Sequence, residues 1–216
     1  MASAIPNDPT SATDESLDRI LTSFDTCYVW KYGSIKEGLH GLYAKAKHDQ
    51  WDGAESLDWS IEVNPEEPLL PPEINPLKDY APFLKMNSRE QKQLQHAQVS
   101  WQLSQFMHGE QGALIVASQL VSAVPWMDAK FYASTQTMDE ARHVEVFSRY
   151  LRQKVEWEWP VNDNLKRLLD TIIQDSRWDF KYLGMQILVE GLAMSAFANF
   201  YQLTSEKLLK DLLHLV

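Results

Sequence analysis

The chain has 216 residues, 44% of them hydrophobic, enough for a domain with a packed core. Lys and Arg number 20 against 30 Asp and Glu, a formal net charge of -10, which excludes the broad basic face that nucleic acid or an anionic membrane surface selects. The single cysteine, Cys27, excludes an internal disulfide framework and any metal site built from several cysteines.

Residues 1–8 carry neither a basic start nor an apolar run, so a secretory signal is not expected. The longest apolar segment, residues 113–124, is broken by Ser118, Gln119 and Ser122, so a membrane span is not expected either. These absences make a soluble cytoplasmic protein the expectation.

Residues 1–14 are small and polar and are expected to be disordered. Leu17, Ile20, Leu21 and Phe24 fall at helical spacing and predict a first helix over residues 16–31. Leu39, Leu42, Tyr43 and Ala46 predict a second over 39–51. Five prolines between Asn64 and Pro76 rule out a long helix or central strand there. Because this stretch also carries Leu69, Leu70 and Ile74, it reads as an extended wrap over the main body. Residues 15–87 therefore form a lead-in of short helices and irregular chain.

The character changes at residue 88. Ser88 and Gln91 fit a capping box, and nothing interrupts a helix from there until Pro125. A second long helix spans about 126–156, a short one 163–173, capped by Asp163 or Asn164, and a third long one 177–203. A last helix begins near Glu206, capped by Thr204 or Ser205. No stretch alternates with period two. The fold class is all-α, and residues 88–216 read as an antiparallel four-helix bundle with short connections.

Three of these helices place a carboxylate where apolar residues belong. Glu110 shares its face with Leu103, Phe106, Met107, Ala113, Leu114 and Ala117. Glu190 shares its face with Leu183, Gln186, Ile187, Ala193, Met194 and Phe197. Glu140 lies between them in sequence, with His143 three residues on, so both can lean on one ion. A carboxylate in an apolar stripe is costly unless paired or coordinated. Each position also has a plain reading, the glutamates paired to buried arginines and His143 a satisfied core histidine. Three such glutamates on successive long helices favour a metal. Gly109, Gly112, Gly184 and Gly191 interrupt the same helices, which suits either a channel beside the site or close helix approach.

The order Glu110, Glu140-x-x-His143, Glu190 resembles the ferritin-like di-iron carboxylate superfamily, and Asp139-Glu140-Ala141-Arg142-His143 resembles the D-E-x-R-H form of its oxygenase and ribonucleotide-reductase-small-subunit branch. Leu42-Tyr43-x-Lys45-x-Lys47-x-x-Gln50-Trp51, followed by Leu57-Asp58-Trp59, is similar to the lead-in of ferritin-like oxygenases. The resemblance spans residues 36–216. It implies a ferritin-like bundle binding two Fe ions, or an Mn/Fe pair, through Glu110, Glu140, His143 and Glu190. It further implies O2 activation by that centre, with Glu110, Glu140 and Glu190 catalytic, to hydroxylate, N-oxygenate or desaturate a small organic substrate. Electrons would come from a reductase or ferredoxin, and a homodimer is the family's usual assembly. The substrate pocket is expected beside Phe106, Leu114, Met194 and Phe197, and Asp139 is a candidate to orient a ligating histidine. Phe147 stands where the reductase subunit carries its radical tyrosine, so a stored radical of that type is not expected.

The pattern departs from the family in one place. A second Glu-x-x-His belongs on the fourth helix; Asp211-x-x-His214 has the internal spacing but comes only 21 residues after Glu190, too early to mirror the first half. The fourth helix is therefore expected to be truncated, with Asp211 and His214 flanking the site. A longer polypeptide, a second chain, or a degenerate bundle with half a site would each account for it, and an iron-handling or purely structural bundle is the alternative function.

Overall fold

A computed structural model describes residues 17–216; the disorder expected over 1–14 lies outside these. Among the described residues there are helices and no strand. The helices are α1 (Glu37–His48), α2 (Ala81–Leu84), α3 (Ser88–Ala123), α4 (Met127–Tyr150), α5 (Asp163–Gln174), α6 (Trp178–Lys181), α7 (Glu190–Leu203) and α8 (Lys207–Leu215). A π-helical turn, Leu151–Val155, extends α4, and a π-helical segment, Tyr182–Val189, joins α6 to α7 in one continuous rod.

α3 is the mast of the fold. Its first turn is closed by a capping box one residue earlier than expected: Asn87 accepts from the Glu90 amide, and the Glu90 carboxylate accepts from the Asn87 amide. Gln91 instead donates to the carbonyl of Phe83. The helix stops at Pro125, whose ring disfavours helical backbone at Val124. The short turn sends α4 back along α3, and that pair forms the largest helix contact in the molecule. α5 is capped by Asn162, and α8 by the side chain of Glu206, which accepts from two backbone amides of its first turn.

The predicted helix over 16–31 is absent; residues 17–36 run as irregular chain. Ile20 packs against the core, but Leu21 is 95% exposed and Leu17 is also exposed, so a helix here would gain too little burial to offset its nucleation. The segment is tethered instead by the Cys27 amide, which donates to the carbonyl of Ser122 at 2.9 Å. The wrap over 64–76 is irregular, with a turn at Asn64–Glu67 and a 3-10 turn at Pro72–Ile74; Leu69 is buried as expected, whereas Ile74 is exposed.

Two apolar clusters make up the core. One collects Leu57, Leu69, Leu103, Met107, Phe147, Phe197 and the leucines of α8. The other collects Ala113, Leu120, Ala133, Leu169, Ile172 and Met185. Each long helix passes from one cluster to the other: α3 between Met107 and Ala113, α4 between Ala133 and Val146, the last rod between Met185 and Phe197. Glu110, Glu140 and Glu190 lie in those three gaps.

The rod Trp178–Leu203 is 26 residues long, with an 18-residue window of mean hydropathy 1.3 that is only 17% buried. By length and composition it could cross a membrane, although Gln186 and Glu190 break its apolar run. One side carries buried Lys181, Met185 and Phe197; the other leaves Leu183, Ile187, Leu188, Leu192 and Met194 half or more exposed.

Candidate metal centre

Between the two apolar clusters lies a thin polar layer. His143 Nδ1 is 2.9 Å from Glu110 Oε2 and 3.1 Å from Glu140 Oε2. The three donor atoms lie within 4.8 Å of one another, and the two carboxylates are 3% and 5% exposed. α3 supplies one carboxylate; one turn of α4 supplies the other and the imidazole, as the i, i+3 spacing requires.

The electrostatics follow from crowding two acids and a base in a dry layer. Burial pushes the Glu140 carboxyl up to about 7; the His143 hydrogen bond opposes this and nearby Glu110 adds to it. Burial opposes charging His143, but the hydrogen bonds to Glu110 and Glu140 outweigh it and hold the imidazole at about 9. In the metal-free chain the imidazole is therefore protonated at neutral pH, and one N–H is shared between the two carboxylates.

Glu190 is close but not joined to them. Burial, reinforced by the charge of Glu140, raises its carboxyl to about 7, yet it makes no hydrogen bond among the described residues and falls outside the tight donor group. Its neighbours explain this. Leu183, Ile187 and Met194, expected to enclose it, stand on the exposed side of the rod; for Leu183 and Ile187 the π turns ahead of Glu190 change the register that ordinary helical spacing assumes. Asp211 and His214 stay outside the group, as expected: Asp211 pairs with Lys207, and His214 is exposed and stacks on Tyr201.

The residues behind the site differ from those expected. Asp139 does not orient His143; its carboxylate pairs with Arg142. Arg142, nearly fully buried, also donates to Gln50 Oε1 at 3.1 Å and to the Trp51 carbonyl at 2.9 Å, and lies over the Trp51 indole. The other neighbour of that indole is His143, with ring planes 18° apart and centroids at 6.2 Å. Trp51 thus walls one side of the cluster. The Gln50-Trp51 pair and the Asp139–Arg142 pair are in the motifs read from the sequence, but their mutual contact spans about ninety residues and no local pattern encodes it.

The glycines divide. A methyl added at Gly112 would lie 2.6 Å from Leu169 Cδ2, and one at Gly184 3.1 Å from Ile172, so both serve close approach of α5. Gly109 and Gly191 have open space around them. Phe106 and Phe197 pack against each other and, with Phe147 and Phe200, form an aromatic knot. A partly open cavity, about 180 Å³, lies on the opposite side of the polar layer, between α1, α3, α4 and the start of the last rod. Its inner end is Gln136, one turn before Glu140, hydrogen-bonded to Gln186, one turn before Glu190. That repeated offset of four was visible in the sequence.

Compared with protein-family models, curated proteins and solved structures, the chain matches none.

The donor set fits a hard-to-borderline divalent metal. Two carboxylates and one imidazole suit Fe or Mn, carry enough negative charge to offset the ion, and sit where water is sparse. No cysteine approaches the site.

Proposed function

We propose that the chain is a non-haem di-iron oxidoreductase of the ferritin-like type, using O2 to oxidise a small organic molecule. The observation that carries this reading is the buried Glu110–Glu140–His143 group, its donors within 4.8 Å, set where both apolar clusters are interrupted, with Glu190 near enough to feel the charges of Glu140 and His143. Glu110, Glu140, His143 and Glu190 would hold the ions. When bound, an iron pair supplies the electron-transfer and O2 chemistry that amino-acid side chains lack.

The chain's own residues account for the rest. Glu110 and Glu140 neutralise charge in a layer where an unpaired cation would be costly. His143 gives up its shared proton to become a ligand, and Glu190 loses the proton that burial favours, so loading releases protons. Trp51 shields the imidazole on one side. The second Glu-x-x-His of a two-metal set would come from a segment laid on the rod's exposed side, next to Glu190. Electrons would arrive from a reductase or ferredoxin, and a homodimer is the expected assembly.

A second reading is favoured by one observation: His143 already satisfies both carboxylates, so the group is also coherent as a buried ion triad without metal. Metal analysis separates the two. Chain produced with iron should carry it, and Glu140→Ala should not. Wild-type chain free of metal under those conditions overturns the proposal. Reductant-dependent O2 consumption then separates an oxidase from a protein that only holds iron.

A further inference from the structure

The cavity beyond Gln136 has a definite chemical character. Its walls include Trp126 and Trp178, set edge to face with centroids at 5.6 Å, and the phenols of Tyr132 and Tyr182. Leu120 closes the side toward α3. None of the residues lining it carries a charge at neutral pH, and burial raises the Tyr132 hydroxyl, keeping it protonated. An ionised ligand would therefore meet no counter-charge in the lining itself; the cation beside it is Lys36, whose ammonium lies 5.0 Å from the Trp126 ring centre.

Size narrows the ligand further. Apolar cavities of about 150 Å³ hold a benzene molecule. The volume here, about 180 Å³, leaves room for one ring and a small substituent. Polarity sets the orientation. Gln136 donates to Gln186 Oε1, and the Gln186 amide nitrogen is left buried with no acceptor among the described residues. Gln186 stands behind the lining, but Gln136 is part of it, and the second N–H of the Gln136 amide has no acceptor among the described residues, so an acceptor on a ligand can meet it there.

We propose that this cavity binds an uncharged molecule built on a single aromatic ring with one hydrogen-bond-accepting substituent. The ring packs among Trp126, Trp178 and the two tyrosines, and the acceptor meets the Gln136 amide. This end lies one helical turn from both Glu140 and Glu190, so the substituted end of the ring faces the metal centre. Binding needs no metal; assigning the ligand as the oxidised substrate rests on the function proposed above.

The test is calorimetric titration of the full chain, metal-free, with acetophenone and benzamide, against benzoate, benzylamine and cyclohexane. Saturable binding of the first two, one per chain and at least tenfold tighter than the charged pair, is expected. Ala129→Phe, which fills the cavity, should abolish binding, with circular dichroism checking the fold. Gln136→Leu should weaken acetophenone about tenfold while leaving toluene unchanged. Benzoate binding as tightly as benzamide, or folded Ala129→Phe binding like wild type, overturns the site. Iron content and O2 consumption are measured separately. Ring binding without turnover overturns only the assignment as substrate, whereas iron-dependent O2 consumption with no ring binding overturns the cavity and leaves the oxidoreductase.

Discussion

Trp51 and His143 lie in parallel planes, ring centroids 6.2 Å apart, although 92 positions separate them in sequence. The same indole carries the Arg142 guanidinium 4.8 Å from its ring centre. One lead-in side chain thus fixes two consecutive residues of α4. Trp51→Ala should lower metal affinity about 10–100-fold, the usual cost of losing a group that holds a ligand in place. Trp51→Phe, which keeps a flat ring, should recover most of it. Mn(II) titration followed by electron paramagnetic resonance reads both; unchanged affinity in Trp51→Ala would show that the lead-in does not position the ligand.

The metal-free chain should lose stability as pH rises. An unfolded histidine titrates near 6.5, and His143 is held at about 9, so its stabilisation is complete below 6.5 and is lost as pH climbs through 9. Glu140 and Glu190, raised from 4.5 to about 7, keep protons that the unfolded chain releases between those values. Stability therefore falls over that span as well. All three groups act in the same direction. With Mn(II) or Fe(II) present the trend opposes this, because ligation needs the deprotonated forms. Thermal unfolding at about pH 5.5, 7 and 8.5, with and without metal, checks the sign; a flat metal-free profile contradicts the cluster's electrostatics.

Gly109 and Gly112, less than one turn apart, should respond oppositely to alanine. Gly112→Ala forces a methyl against the buried Leu169 side chain and should cost about 1–3 kcal/mol. Gly109→Ala meets nothing within 4 Å and should gain up to about 1 kcal/mol from helix propensity. Urea unfolding of the two variants gives the comparison.

Lys181 is fully buried without a carboxylate within ion-pair distance. Its ammonium donates to Gln119 Oε1 at 2.6 Å and to the carbonyls of Ile172 and Ile173, near the C-terminus of α5. It neutralises that helix end from inside the protein. Burial lowers its pKa. Lys181→Met keeps the length and removes the charge, so it should cost about 2–3 kcal/mol by leaving three acceptors unpaired. A cost under about 0.5 kcal/mol in urea unfolding would mean that water replaces the ammonium.

The long helices were legible because their signals are local: Pro125 ends α3, and apolar residues recur at helical spacing along them. Glu110 was legible because a charge inside an apolar stripe is conspicuous, and Glu140 and His143 because their spacing puts both on one helix face. Residues 17–24 misled for a physical reason, since their helical spacing is real but only part of it finds a surface to bury against. Beside Phe106 and Phe197, where a pocket was expected, the two rings pack against each other, a contact that helical spacing alone does not encode. Neither the Trp51 wall nor the Lys181 plug leaves a local trace, as each depends on segments far apart in the chain.

The π-helical segment Tyr182–Val189 makes residue number matter more than residue type along this stretch. Tightening one wide turn into an ordinary one would expel a residue and rotate everything after it by about 100°. Glu190 follows directly, so its aim is counted out by the length of the segment before it. Substitutions there change packing; a one-residue deletion would turn Glu190 away from the polar layer without altering any proposed ligand. Homologous chains that keep the centre should therefore vary in composition across 182–189 while keeping its length fixed.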